Sequence, residues 1–158
     1  MLANTLKKRL VIAALGVVLV FVSCVYALLR STPADRFSHA LNAAVEEHRD
    51  SGGIQLRRLT EIPWERLHIF GPYTSPEQVN AALGFPWRDR HLTKIGMMDD
   101  RNLLVFTAGG KVVLSVLHPR HEADFSQEAL NRSFTPEDAV LTADHLPDGR
   151  MELRPAAK

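Results

Sequence analysis

Twenty consecutive residues without a formal charge, Leu10 to Leu29, constrain this chain more than any other feature. At about 1.5 Å per residue, a helix of that length is about 30 Å long, the thickness of a bilayer's hydrocarbon core. Thirteen of the twenty are Leu, Val, Ile or Phe. At about −0.3 to −0.6 kcal/mol each, these favour insertion by about 4–8 kcal/mol. Arg9 and Arg30 bracket the run, and Lys7, Lys8 and Arg9 form the denser basic cluster. The positive-inside rule then predicts a cytoplasmic N-terminus (1–9), a transmembrane signal anchor (10–29) in contact with the lipid bilayer, and an outward-facing remainder. Two competing readings share that compartment. Phe21-Val22-Ser23-Cys24 has the form of a lipobox, which would make Cys24 the acylated start of a lipoprotein. Val25-Tyr26-Ala27 has the small-residue pattern of a signal-peptide cleavage site. The apolar run continues past Cys24 to Leu29, which favours the anchor.

The remaining residues suffice for one ordinary domain with its own core. Cys24 is the only cysteine of the 158 residues, so this domain holds no disulfide. Of 19 basic residues, Lys7, Lys8 and Arg9 precede the apolar run, leaving 16 against 18 acidic. With no basic stripe in that remainder, nucleic-acid binding is set aside.

Periodicity predicts an α+β domain: a mostly antiparallel sheet with two helices. Thr32-Pro33 opens a juxtamembrane helix within 30–53, with Phe37, Leu41, Ala44, Val45 and His48 at helical spacing and Ser51-Gly52-Gly53 as its stop. An α+β region follows over 54–154, with a tail at 155–158. Strands are expected near 54–61 and 64–70, and a short helix between the Ser75-Pro76 start and Gly84. Arg88 to His91 reads as a charged loop. The strongest strand signals are 103–107 and 112–117, joined at Gly109-Gly110 as a hairpin covered by both helices. Residues 118–136 read as irregular, with a helical turn near 127–130. A second hairpin joins 140–142 to 151–153 through Pro147-Asp148-Gly149.

The stretch from Pro63 through Trp64-Glu65-Arg66-Leu67-His68-Ile69-Phe70 to Gly71-Pro72-Tyr73, with Leu83-Gly84 ending the next helix, resembles a group of uncharacterised bacterial envelope proteins. Val105-Phe106, Gly110-Lys111 and Val112-Val113 extend the likeness over roughly residues 60–118. The resemblance implies a bacterial envelope location; the anchor reading of residues 10–29 makes that a single pass of the inner membrane with a periplasmic domain. The resemblance implies no activity.

Candidate chemistry is sparse. His118 and His121 are three apart, a metal-ligand spacing on a helix, but Pro119 lies between them, and a site would need further ligands such as Glu122, Asp124 or His91. Gly109-Gly110-Lys111 lacks the Ser or Thr of a phosphate loop. No Gly-x-Ser-x-Gly elbow occurs. No cofactor is indicated, and the chain reads as non-enzymatic. Aromatics cluster around one turn: Trp64, Phe70, Tyr73, Phe85 and Trp87. The candidate binding residues are Tyr73, Trp87, Arg88 and Arg90, near a groove at Gly71 to Ser75, with Arg57 and Arg58 as possible neighbours. Strand parity groups Trp64, Arg66, His68 and Phe70 on one face, and Leu67 with Ile69 on a helix-facing one. The expected role is interaction with another envelope protein; a small-molecule or lipid sensor is the alternative.

Overall fold

Phe37, Leu41 and Val45 recur every fourth residue, and together they bury one face of helix α1, Pro33–Glu47. The structure, a computed structural model, describes residues 31–48, 52–130 and 132–157. The apolar run and Cys24 lie outside the described residues. Among those described, no helix is long and apolar enough to cross a membrane.

Along the chain follow β1 (Ile54–Gln55), a 3-10 turn (Leu56–Arg58), β2 (Arg66–Phe70), α2 (Pro76–Leu83) and α3 (Arg90–Ile95). Then come β3 (Arg101–Ala108), β4 (Lys111–Pro119), β5 (Asp124–Phe125), α4 (Gln127–Leu130), β6 (Ser133–Phe134), β7 (Val140–His145) and β8 (Met151–Pro155). The α+β class and the dominance of antiparallel pairing are as the sequence predicts. The single sheet is not: the strands divide into two four-stranded sheets, ordered β4-β3-β2-β6 and β1-β7-β8-β5. One pair, β5 with β8, is parallel.

β3 is buried along its length because both of its faces are covered. Leu104 and Phe106 point to the side of α1, into a core shared with Phe37, Leu41, Ile54, Leu141 and Leu153. Leu103 and Val105 point the other way, to Val79 of α2 and to Leu92 and Ile95 of α3. The central hairpin therefore has helices on opposite faces, and the second sheet closes the α1 side. Gly109 and Gly110 both have positive φ, 56° and 70°, as a two-residue hairpin turn twisted to match its strands requires.

Four local expectations change. The first strand stops at Gln55, because Leu56 turns inward in the 3-10 turn, where its N–H donates to the Ala139 carbonyl at 3.0 Å. The 88–91 loop is instead the start of α3: the Asp89 carboxylate accepts the His91 N–H, and Leu92 and Ile95, three apart, bury one side. Residues 118–136 are not wholly irregular, since β5 and β6 each add two residues to a sheet edge. The parity of the second strand holds through Phe70, which lies opposite Leu67 and Ile69, and fails at Trp64. Trp64 precedes the strand and packs edge-on against Phe106 at 5.3 Å, in the same core as Leu67 and Ile69, whereas Phe70 belongs to the α2–α3 core.

Candidate functional site

At the C-terminal end of β2 the chain must turn at once into α2, and Gly71-Pro72-Tyr73-Thr74 makes that turn. Its backbone is tied at several points. The Thr74 hydroxyl donates to the Gly71 carbonyl at 2.7 Å, and the Tyr73 N–H donates to the Ile95 carbonyl at the end of α3, 2.9 Å away. Tyr73 holds φ at +61°, a left-handed conformation rare for a residue with a side chain. Its ring is 64% exposed. Ser75 then caps α2 in a reciprocal pair: its hydroxyl accepts the Gln78 N–H, and the Gln78 side-chain carbonyl accepts the Ser75 N–H.

A groove of about 610 Å³ opens beside this turn. Ile69, Phe70 and Pro72 contribute apolar surface from the strand and turn, Ala82 from α2 and Leu130 from α4. The polar lining is His68, Thr74, Gln78, Gln127, Arg132 and Ser133, with no aspartate or glutamate among the lining residues. α4 lies close against the turn: a Cβ added to Gly71 would come within 3.1 Å of a Leu130 methyl. Glycine here permits that approach.

Three of these polar groups have constrained states. The His68 ring lies parallel to Phe70 with centroids 6.1 Å apart. Burial, aided by the Arg66 charge, holds its pKa below the ordinary value, so it is neutral at neutral pH. The Arg132 guanidinium sits 5.0 Å over the Phe134 ring and 3.8 Å from the Asp138 carboxylate. Gln78 spends its carbonyl on the Ser75 cap, leaving the amide NH₂ as the part available to a ligand. The groove thus offers the Gln78 amide donors, further polar side chains and one cation over an apolar floor.

The sequence-derived candidates fall around this groove rather than in it. Tyr73 is exposed next to its lining residues Pro72 and Thr74. Trp87 is half-buried against the α2–α3 core, its backbone N–H held by the Asn80 side chain at 2.9 Å, so it serves as packing. Arg88 and Arg90 are exposed at the start of α3 and do not line the groove. Arg58 lines a separate cavity with Pro33 and Arg36. Gln78, Gln127, Arg132 and Ser133 were not singled out from sequence. The last three come from a stretch without clear periodicity, and only folding brings them to β2.

The metal candidates separate. His118 is fully buried and His121 is exposed, and among the described residues no group of three His, Cys, Asp or Glu could hold a metal ion. His118 pairs in register with Asn102 and meets Phe125 edge-on at 6.1 Å. Beside it the Asp124 carboxylate accepts hydrogen bonds from Asn102 and Arg120. Burial raises the Asp124 pKa, but these bonds, the Phe125 N–H and the Arg120 charge outweigh it and hold the carboxyl below its ordinary range.

One triad of residue types does form. His91 Nδ1 lies 3.0 Å from the Ser115 hydroxyl and 3.6 Å from an Asp89 carboxylate oxygen. Both neighbours face the same nitrogen, whereas a nucleophile relay needs them on opposite nitrogens of the ring. This arrangement positions α3 against β4 and supplies no relay.

No family model, curated protein or solved structure matches this chain.

Proposed function

We propose that this is a non-enzymatic domain of the bacterial cell envelope, held at the inner membrane by residues 10–29 and facing the periplasm. Through the groove beside Gly71–Ser75 it binds a segment of another envelope protein. The observation that carries the reading is the groove itself: about 610 Å³, lined by polar side chains and Arg132 with no carboxylate among the lining residues, and flanked by the exposed Tyr73. Such a surface suits a chain segment rich in carbonyl and carboxylate acceptors, with an apolar side chain over Phe70 and Leu130. Aromatic and arginine side chains beside a pocket are common anchors of protein interfaces. The resemblance over residues 60–118 supports the envelope setting, and the turn lies within that span.

A second reading rests on size. The groove volume falls in the range typical of small-molecule sites, about 300–1,000 Å³. One experiment separates the two. A photo-crosslinking residue replaces Ala82 in the full chain, expressed in a bacterial inner membrane. The first reading expects one discrete higher-mass adduct, lost when Arg132→Gln is added. A small-molecule adduct found by mass spectrometry, with no protein-sized product, would favour a sensor. If the product is unaffected by Arg132→Gln, the groove is not the contact surface.

A further inference from the structure

We infer that a second cavity, at the start of α1, takes the phosphate-bearing headgroup of an anionic phospholipid from the bilayer that anchors the chain. The inference rests on the anchor reading above, though not on the groove. The cavity, about 690 Å³, is bordered by Pro33 and Arg36 of α1 and by the segment that follows β1, including Arg58, Leu59, Glu61 and Ile62.

Two observations choose the occupant. The first is charge. Arg36 and Arg58 come from separate elements and both line one cavity, where Glu61 is the only acid among the lining residues. Both arginines are exposed, and among the described residues no ion pair reaches either one. Elsewhere Arg120, Arg150 and Arg154 are each neutralised by a carboxylate. A pair of guanidinium forks matches the oxygens of a phosphate, which can accept hydrogen bonds from both. The half-buried Leu59 and Ile62 provide apolar surface beside the cations, suited to the glycerol and first methylenes of a lipid rather than to a free anion.

The second observation is chain length. Pro33 lies four residues past Leu29, the last residue of the apolar run. Four residues span at most about 14 Å. In the anchor reading, Pro33, which borders the cavity, is therefore within that length of chain from the end of the apolar run.

The test uses the full chain with Cys24 in place, reconstituted in mixed phosphatidylcholine and phosphatidylglycerol, with native mass spectrometry of the lipids it retains. The expected result is several-fold preferential retention of one phosphatidylglycerol, falling to the bulk ratio in Arg36→Gln/Arg58→Gln. Lys94→Gln/Lys111→Gln removes the same charge from exposed positions elsewhere and should leave the preference intact. Circular dichroism of each variant shows that the fold is kept. An equal loss in both double variants would reduce the effect to net charge and overturn the inference, as would a preference that survives loss of the two arginines. Displacement of the lipid by millimolar inorganic phosphate, leaving a phosphate adduct, would assign the cavity to a free anion instead. Flotation with vesicles separates the premises. A chain that fails to float loses the anchor reading and this inference with it, whereas a chain that floats without lipid preference loses only the inference.

Discussion

His118 carries the clearest single-residue consequence. Burial lowers its pKa from 6.5 to about 4; the Glu122 charge and the Ala123 backbone oppose this, while the Arg101 and His121 charges add to it. The folded state thus prefers the neutral ring. Its contribution to stability is fully present above about pH 6.5, the unfolded value, and is lost as pH falls toward the folded value, about 3 kcal/mol by pH 4. His68 and His91, also lowered by burial, act with the same sign. Asp124 adds a further loss only below the ordinary carboxylate range, as its own lowered pKa is reached. Urea midpoints at pH 7 and pH 4.5 should therefore differ, and His118→Leu should remove the largest share of the difference; an unchanged slope would mean the ring is not held neutral. Tyr73 gives the second case. Its side chain is exposed while its backbone is in the left-handed region. Tyr73→Gly should keep or raise stability by up to about 1 kcal/mol, since glycine adopts that conformation without a Cβ penalty, and it should weaken partner binding. A loss of stability as large as a core truncation would place the ring in the core instead.

At the scale of elements, α2 couples a helix cap to the groove. Ser75 satisfies the first turn, and the same bond pair fixes how Gln78 presents its amide. Ser75→Ala should cost about 1 kcal/mol by thermal or urea unfolding and also weaken ligand capture, because Gln78 loses its anchor. Ser75→Asp keeps a capping acceptor and should restore most of the stability. β2 supplies the core side of the same region. Leu67 is fully buried, and Leu67→Ala should cost about 2–5 kcal/mol through the cavity it leaves. A cost below 1 kcal/mol would show that this strand does not seat on the core as described.

For the whole molecule, Phe106 joins α1 to the central hairpin and to the segment before β2. Its ring meets Phe37 of α1 at 5.0 Å and Trp64 at 5.3 Å, both edge-on. Phe106→Ala should cost about 3–5 kcal/mol and destabilise α1 together with the sheets, as a single cooperative unfolding step by circular dichroism and tryptophan fluorescence. Separate transitions would mean α1 folds apart from the strands. Topology is tested at the same scale. A reporter active only in the periplasm, fused after Lys158, should be active, and Cys24→Ala should leave mass and membrane retention unchanged. Loss of a fatty-acid label in that variant would make the chain a lipoprotein.

Sequence alone determined the parts of this protein that depend on neighbours along the chain. The spacing of Phe37, Leu41 and Val45 specifies the buried face of α1, Ser75-Pro76 and Gly84 specify both ends of α2, and Gly109-Gly110 specifies the central hairpin. Each follows from side-chain direction or from backbone conformations open to few residues. Leu92 and Ile95 have helical spacing too, but the charges at 88–91 mask it, and the Asp89 cap that starts α3 shows only in the fold. Tertiary structure decided the rest. Nothing local says that Leu56 turns inward, that β5 joins β8 in parallel, or that the strands divide into two sheets, because two-residue strands are stabilised by partners far along the chain. The groove belongs to that second class. Tyr73 and its turn were legible, since Gly-Pro before a capped helix marks a rigid bend. Arg132, Ser133 and Gln127 were not, because Ser133 comes opposite His68, with Arg132 next to it, only when β6 pairs with β2 in antiparallel register, and Gln127 reaches the groove only through the packing of α4.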